Sequence, residues 1–236
     1  MPLLKILCIA AATLGLHVAS TSPNPPLVSS ARTIAPTSVE FILVSPSFRE
    51  AQKIIYWCAA IAETAILVAQ LSPQSIASQL VISVLALGGD LPTLRLTPLL
   101  VLGCALIISG AILRFLCYCV LGKYFTFETG IARDHRLITT GPYSVVRHPS
   151  YTGAILAYLG ILCYYGSPGS WFMECVFKGS MAGTVFCATY IITTSLVVTG
   201  LLSRISKEDE GLRGKFGDEW EVFAARVPYV LMPGIY

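Results

Sequence analysis

The sequence has very little charge. Only 12% of its 236 residues are Asp, Glu, Lys or Arg, whereas 55% are hydrophobic. Average soluble domains carry about 25% charged residues, so this chain has too few charged side chains to cover a water-facing surface. The composition argues against a soluble globule and a disordered chain, and the net charge of +3 is too small to indicate a nucleic-acid partner. We expect a membrane-embedded protein.

The motifs of common soluble enzymes are also missing. The sequence contains no G-x-G-x-x-G, no P-loop and no H-E-x-x-H, so the usual nucleotide-binding and zinc signatures are absent. Most of the eight cysteines lie inside apolar runs, and none forms C-x-x-C. This placement favours packing within helices over a disulfide framework or a metal site, and we predict no metal.

Long apolar runs predict membrane-spanning helices. A bilayer core of about 30 Å needs roughly 20 apolar residues in helical form. The runs that meet or approach this length are 54–71, 98–121, 151–165 and 181–202. A weaker run, 76–88, would form a hairpin with 54–71 across a turn at Ser72 and Pro73. We predict an all-α, polytopic membrane bundle of about five to six transmembrane helices.

The N-terminal segment has two interpretations. Residues 2–19 are apolar, with Lys5 near their start and small residues after them. This pattern fits both a secretory signal within residues 1–22 and a first transmembrane helix. The following stretch, 21–46, is rich in proline, serine and threonine and predicts a loop in either case.

Most of the charge is confined to two short segments. Six charged residues lie in 123–148 and eleven in 204–226. Two apolar runs separate these segments, so both should emerge on the same side of the membrane. Their basic residues outnumber those of the intervening loop, 166–180, and the positive-inside tendency therefore places both segments in the cytosol.

The first polar segment predicts a binding site at the start of a membrane helix. Gly141 and Pro142 form a turn, and Pro149 suits the first turn of a new helix. Arg147 and His148 should then lie beside unpaired backbone N–H groups, which favour anionic ligands. The alternative is that these side chains are only anchors at the membrane interface.

The second polar segment predicts a charged clamp. Arg204 and Glu208 are four residues apart and share one helix face, which suits a zwitterionic ligand. Ser206 followed by Asp209 resembles a capping box and predicts a helix start. Gly217 should end this helix, and the apolar stripe after it predicts a final amphipathic helix in which Trp220 and Phe223 would pack.

Both polar segments resemble one family. Residues 135–153, H-R-L-I-T-T-G-P-Y-S-V-V-R-H-P-S-Y-T-G, resemble the signature of the isoprenylcysteine carboxyl methyltransferases. The C-terminal pattern of that family is matched by Arg204, Glu208, F-G-D-E-W at 216–220, R-V-P at 226–228 and P-G at 233–234. The resemblance covers about residues 97–236.

The resemblance implies a function and a site. Members are multi-pass enzymes of the endoplasmic reticulum membrane with a cytosolic active site. They use S-adenosyl-L-methionine to methylate the C-terminal prenylcysteine of CaaX proteins after C-terminal proteolysis. Membrane helices in residues 1–95 would precede a catalytic domain in 96–236, and Arg204 would be catalytic and hold the substrate carboxylate. The implied cofactor-binding residues are Glu128, His135, Arg136, Leu137, Ile138, Tyr143, His148, Pro149, Ser150, Tyr151 and Glu208.

The chemistry of this reaction fits the residues. A C-terminal carboxylate has a reference pKa of about 3.3–3.7, so it is already a nucleophile at neutral pH and needs no general base. It needs alignment and a cation, which the planar fork of Arg204 would provide. Three alternatives remain: an NADPH-dependent sterol reductase of the related superfamily, a phospholipid methyltransferase, and a non-catalytic membrane scaffold.

Overall fold

The computed structural model describes residues 2–25, 45–87, 92–127, 134–178 and 180–234. These residues form α-helices joined by turns and short 3₁₀ and π segments, with no strand among them. The predicted all-α class is therefore confirmed. Glu128 and most of the predicted 21–46 loop lie outside the described residues.

Seven α-helices are present in this part of the chain. They are α1 (Pro2–Ser20), α2 (Pro46–Ala69), α3 (Ile76–Leu85), α4 (Pro98–Leu121), α5 (Pro149–Tyr165), α6 (Met181–Phe216) and α7 (Asp218–Arg226). Four of the helical segments are long and apolar enough to cross a membrane: α1, α2, Pro98–Tyr124 and α6. The turn between α2 and α3, the start of α5 at Pro149 and the break at Gly217 all agree with the sequence prediction.

Helix α6 is longer than the sequence predicts. Its 36 residues run through Ser206 without a break, so the predicted helix start at that residue is wrong. The segment around Ser206 contains no proline, and every backbone N–H can therefore continue the helical hydrogen-bond ladder. At 1.5 Å per residue the helix is about 54 Å long, well beyond the hydrocarbon core of a bilayer. A further difference is a π-helix, Phe172–Phe177, within the predicted 166–180 loop.

The described chain divides into two compact units. The first comprises Met1–His17, Glu50–Ser109 and Leu156–Ser195. Its core contains the buried residues Ile9, Ala12, Leu16, Tyr56, Ala60, Leu67, Leu100, Cys104, Ile107, Ala157, Ile161 and Tyr164. Gly103 and Gly160 let α4 and α5 touch, because a Cβ on Gly160 would lie 2.8 Å from the Gly103 carbonyl oxygen.

The second unit comprises Val18–Arg49, Gly110–Ile155 and Leu196–Tyr236. One of its clusters is formed by Cys117, Tyr118, Phe125 and Tyr143, and another by Ile205, Val230 and Leu231. Gly153 of α5 lies against α4, where an added Cβ would be 2.8 Å from the Gly110 carbonyl oxygen. This unit contains both polar segments that the sequence singles out.

Candidate functional site

A sharp turn precedes helix α5. Gly141 has φ +61° and begins a 3₁₀ helix, Gly141–Ser144, with Pro142 in its first turn. The positive φ suits glycine because it has no Cβ. Tyr143 follows and is buried among Cys117, Tyr118 and Phe125. Burial raises the pKa of the Tyr143 hydroxyl well above its usual range, so this group is a neutral hydrogen-bonding phenol at physiological pH.

The C-terminal segment holds the start of α5. The backbone N–H of Arg147 donates to the Tyr229 carbonyl at 3.0 Å, and that of His148 donates to the Val230 carbonyl at 2.9 Å. These two N–H groups therefore have partners, whereas the unpaired N–H groups expected near them stay a prediction. A helix N-terminus leaves N–H groups without intrahelical partners, and here the chain end satisfies them.

The two polar segments meet at a pair of carboxylates on α6. The Nε2 atom of His148 lies 3.0 Å from Oδ1 of Asp209, and the Nε atom of Arg147 lies 3.4 Å from Oδ2 of the same carboxylate. Nδ1 of His148 lies 3.7 Å from Oε2 of Glu208. The side chains of Glu208 and Asp209 are only 25% and 16% exposed, so these contacts are partly shielded from water.

Glu208 also joins Tyr151 to Arg204. The Tyr151 hydroxyl donates to Oε1 of Glu208 at 2.5 Å, and Nη2 of Arg204 donates to the same oxygen at 3.1 Å. Nη1 of Arg204 donates to the Phe127 carbonyl at 2.9 Å. Arg204 is 4% exposed. The ring of His148 stacks on that of Tyr151. The i, i+4 pairing of Arg204 with Glu208 agrees with the sequence prediction.

Among the remaining predicted site residues, His135 is half-buried beside two aromatic rings. Its ring contacts the rings of Tyr124 and Phe216, at centroid distances of 4.8 and 6.2 Å. Burial, with a smaller contribution from Lys215, lowers the pKa of His135 below its usual value, so this imidazole is neutral at pH 7. Arg136 is exposed, Leu137 is half-buried, Ile138 packs on the Tyr143 cluster and Pro149 is buried.

Ser150 contacts a residue that the sequence reasoning missed. Nη1 of Arg114 donates to the Ser150 carbonyl at 3.1 Å and to its hydroxyl oxygen at 3.2 Å. Arg114 is buried inside the apolar helix α4. The sequence feature that could have identified Arg114 as a candidate is a single charged residue within an apolar run. Asp209 was also missed, because a row of three adjacent acids does not show which one faces inward.

Trp220 borders the same charged cluster. Its ring centroid lies 6.0 Å from Cζ of Arg147. The buried indole Nε1 has no hydrogen-bond partner among the described residues. A buried donor without an acceptor is costly, so this nitrogen can donate a hydrogen bond to a ligand. The packing role of Trp220 stays a prediction.

Comparison with known proteins supports the resemblance. A family model described as phospholipid methyltransferase matches residues 98–205. Protein-S-isoprenylcysteine O-methyltransferase B of Arabidopsis thaliana is 31% identical over 128 residues, which are 53% of this chain and 55% of that protein. The Schizosaccharomyces pombe protein-S-isoprenylcysteine O-methyltransferase is 33% identical over 97 residues, 41% of this chain and 33% of that protein. The chain therefore spans about half the length of the plant relative, and the resemblance to this family is confirmed.

Sterol reductases match part of the same chain. The 7-dehydrocholesterol reductase of Arabidopsis thaliana is 27% identical over 112 residues, which are 48% of this chain but only 22% of that protein. Most of the reductase therefore has no counterpart in the matched part of this chain.

Proposed function

We propose that this chain is a membrane carboxyl methyltransferase that esterifies the C-terminal prenylcysteine of proteins. The observation that carries the proposal is the buried Arg204 guanidinium paired with Glu208, which is in turn bonded by Tyr151. These side chains connect the two segments that resemble the isoprenylcysteine methyltransferases, and relatives of that name match the chain. The proposed substrates are prenylated CaaX proteins after C-terminal proteolysis.

The charged cluster has the chemistry to hold S-adenosyl-L-methionine. This donor carries a sulfonium and an ammonium group, which suit two partly buried carboxylates, Glu208 and Asp209. The unpartnered Nε1 of Trp220 suits an acceptor of its adenosine, and the residues around His135 would border the same ligand. When bound, the donor supplies an electrophilic methyl group, and the electrons of the broken carbon–sulfur bond stay on sulfur.

The two ring nitrogens of His148 have different hydrogen-bonding roles in this proposal. A carboxylate only accepts hydrogen bonds, so in a neutral imidazole the 3.0 Å contact with Asp209 places the proton on Nε2 of His148. In that tautomer Nδ1 and the Glu208 oxygen 3.7 Å away are both acceptors. Two facing acceptors suit one ammonium donor, and we assign this position to the donor's amino group.

Arg204 holds the substrate carboxylate in this proposal. The carboxylate is ionised at neutral pH, so the new oxygen–methyl bond forms without any proton transfer. The guanidinium would bind one carboxylate oxygen and leave the other to react. Its own bonds to Glu208 and Phe127 fix its plane, and such positioning lowers the barrier of a two-reactant step.

The membrane setting suits a prenylated substrate. Each buried CH₂ group contributes about 0.8 kcal/mol, so a prenyl chain stays in the bilayer while its cysteine carboxylate remains at the interface. Helix α6 carries Arg204 immediately beyond the apolar run of residues 181–202, which is the depth such a carboxylate occupies. We propose the endoplasmic reticulum as the membrane and the cytosol as the side of the site.

A methylation assay tests the proposal. Purified protein, labelled S-adenosyl-L-methionine and farnesylcysteine should give a labelled ester. Arg204→Ala should lower transfer by at least 100-fold, on the order of a lost charged pair, while the donor still binds. Arg213→Ala is the control, since Arg213 lies on the same helix in an exposed pair with Glu221. Absence of ester from folded wild-type protein would contradict the function, and full activity of Arg204→Ala would contradict the role of that residue.

His148 is tested separately by donor binding. His148→Ala removes the contacts with both carboxylates and should weaken donor affinity about tenfold or more. Unchanged affinity in a titration would contradict the assignment of the pocket.

A sterol reductase is the second candidate, because the matched reductase covers 48% of this chain. It predicts binding of NADPH and no binding of S-adenosyl-L-methionine. Equilibrium titration of the detergent-purified protein with each compound distinguishes the two functions, and a non-catalytic scaffold should bind neither.

A further inference from the structure

Arg114 is a buried charge within an apolar helix. It is the single charged residue of α4, Pro98–Leu121, and it is 5% exposed. Charged side chains inside membrane segments are costly and commonly mark sites of function.

All the hydrogen bonds of Arg114 go to neutral acceptors. Nε donates to the Ala19 carbonyl at 2.8 Å and to the Tyr118 hydroxyl at 3.1 Å. Nη1 donates to the carbonyl and hydroxyl oxygens of Ser150. In the described part of the chain Nη2 has no acceptor and no carboxylate pairs with this guanidinium. These bonds orient the group without neutralising its charge.

Arg114 lies beside the candidate site. Its Cζ atom is 5.0 Å from the ring centroid of Phe127, whose carbonyl accepts a hydrogen bond from Arg204. Its partner Ser150 immediately precedes Tyr151, whose hydroxyl binds Glu208. Three guanidinium groups therefore contact Phe127 at the edge of the carboxylate cluster: Arg114 and Arg49 lie over its ring, and Arg204 binds its carbonyl.

The cations of this site differ in their pairing. Arg204 is paired with Glu208, and Arg147 with Asp209. Among the residues described, Arg114 contacts only neutral groups, which are carbonyl and hydroxyl oxygens and two aromatic rings. A ligand carboxylate gains most from a shielded, oriented cation whose charge is not already balanced, because the attraction is strong at low dielectric and guanidinium hydrogen bonds to carboxylates are charge-assisted.

We propose that Arg114 binds a ligand carboxylate at this site through Nη2. The inference rests on the proposed function, which offers two sources of that group: the C-terminal carboxylate of the prenylcysteine substrate and the α-carboxylate of the methyl donor. Arg114 is in either case a second anion-binding residue beside Arg204.

Paired ligands with and without the carboxylate test this proposal by binding alone. Farnesylcysteine is compared with its uncharged C-terminal amide, and S-adenosyl-L-methionine with its decarboxylated form. In the wild-type protein the carboxylate of the relevant ligand should improve affinity about tenfold or more. In Arg114→Gln the ratio of the affinities with and without the carboxylate should fall towards unity in a single pair of ligands. The pair that changes identifies the source of the carboxylate.

Arg213→Gln is the matched control, because Arg213 is 64% exposed in its side chain and lies in a surface ion pair. It should keep both preferences. If Arg114→Gln also keeps both, Arg114 only holds the carbonyls of Ala19 and Ser150, and the proposal is wrong. Wild-type protein that binds the carboxylate ligands but forms no ester would contradict the proposed function and leave the role of Arg114 intact; wild-type protein that binds none would overturn both.

A second measurement covers the case in which Arg114→Gln does not fold. Arg114→Lys keeps the positive charge but has no guanidinium nitrogen. With ¹⁵N-guanidino arginine in the protein and a ¹³C-carboxyl ligand, solid-state NMR dipolar recoupling should be weaker in this variant than in the wild type. Equal recoupling in both proteins would overturn the proposal.

Discussion

The imidazole Nε2 of His148 lies 3.0 Å from Oδ1 of Asp209, although 61 residues separate them. Oδ2 of the same carboxylate lies 3.4 Å from Nε of Arg147. One acidic side chain on α6 therefore orients two consecutive residues at the start of α5. Because a carboxylate accepts, in a neutral imidazole this contact places the proton on Nε2 of His148.

Asp209→Asn should weaken donor affinity about tenfold, with little loss of thermal stability. The amide keeps the shape of the carboxylate, but it can present its NH₂ group to Nε2 of His148 and so favour the other tautomer. Titration measures the affinity, and ¹⁵N NMR of labelled histidine measures the tautomer. The chain has only three histidines, so His148 is assigned by its loss from His148→Gln.

Glu210→Gln is the control for Asp209→Asn. Glu210 is the neighbouring acid on α6 and is exposed, so its substitution should change neither affinity nor tautomer. An unchanged ¹⁵N spectrum of His148 in Asp209→Asn would show that this carboxylate does not set the tautomer.

Gly160→Ala should destabilise the protein by about 1–3 kcal/mol. Its Cβ would lie 2.7 Å from the backbone nitrogen of Ile107 and 2.8 Å from the carbonyl oxygen of Gly103, so α4 and α5 would have to separate. Gly214→Ala is the control, because no atom lies within 4 Å of its added Cβ. That change should stabilise α6 by up to about 1 kcal/mol. Thermal unfolding in detergent measures both, and equal melting temperatures would contradict the close contact.

Glu63→Ala should destabilise the first unit by about 3–5 kcal/mol. The Glu63 carboxylate lies 2.6 Å from Nζ of Lys5, and both side chains are almost fully buried. Removing one partner leaves a buried charge, whereas the double variant Lys5→Met with Glu63→Leu leaves none. We therefore expect the double variant to recover most of the melting temperature.

An exposed ion pair provides the comparison for Glu63. Lys178 and Glu174 form an i, i+4 pair with the lysine 55% exposed, and Lys178→Ala should cost at most about 0.5 kcal/mol. If Glu63→Ala costs no more than Lys178→Ala, the buried pair does not stabilise α1 against α2.

His135 should make stability depend on pH. Its folded-state pKa lies below the ordinary value of about 6.5, because the ring is partly buried and Lys215 is near. Between these two pKa values the unfolded chain binds more protons, so stability rises with pH through this interval and is lost as pH falls below about 6.5. His135→Gln should reduce the change in melting temperature between pH 5.5 and 7.5. Identical pH dependence in both proteins would contradict the shift.

The sequence by itself determined the helical class and most helix boundaries. Pro149 begins α5 and Gly217 separates α6 from α7, because proline and glycine act through local backbone sterics that require no partner. The i, i+4 pairing of Arg204 with Glu208 was equally accessible, since helix geometry alone places those residues on one face.

Only the tertiary structure decided which polar groups find each other. No local pattern in the sequence predicts that the carbonyls of Tyr229 and Val230 accept hydrogen bonds from the N–H groups of Arg147 and His148. Likewise, no local pattern distinguishes Asp209 from the adjacent acids. The sequence alone shows that Arg114 is a charged residue in an apolar run, where burial of a charge is costly. Its acceptors on Ala19 and Ser150 come from distant segments. Hydrogen bonds between such segments depend on packing, which short-range rules do not encode.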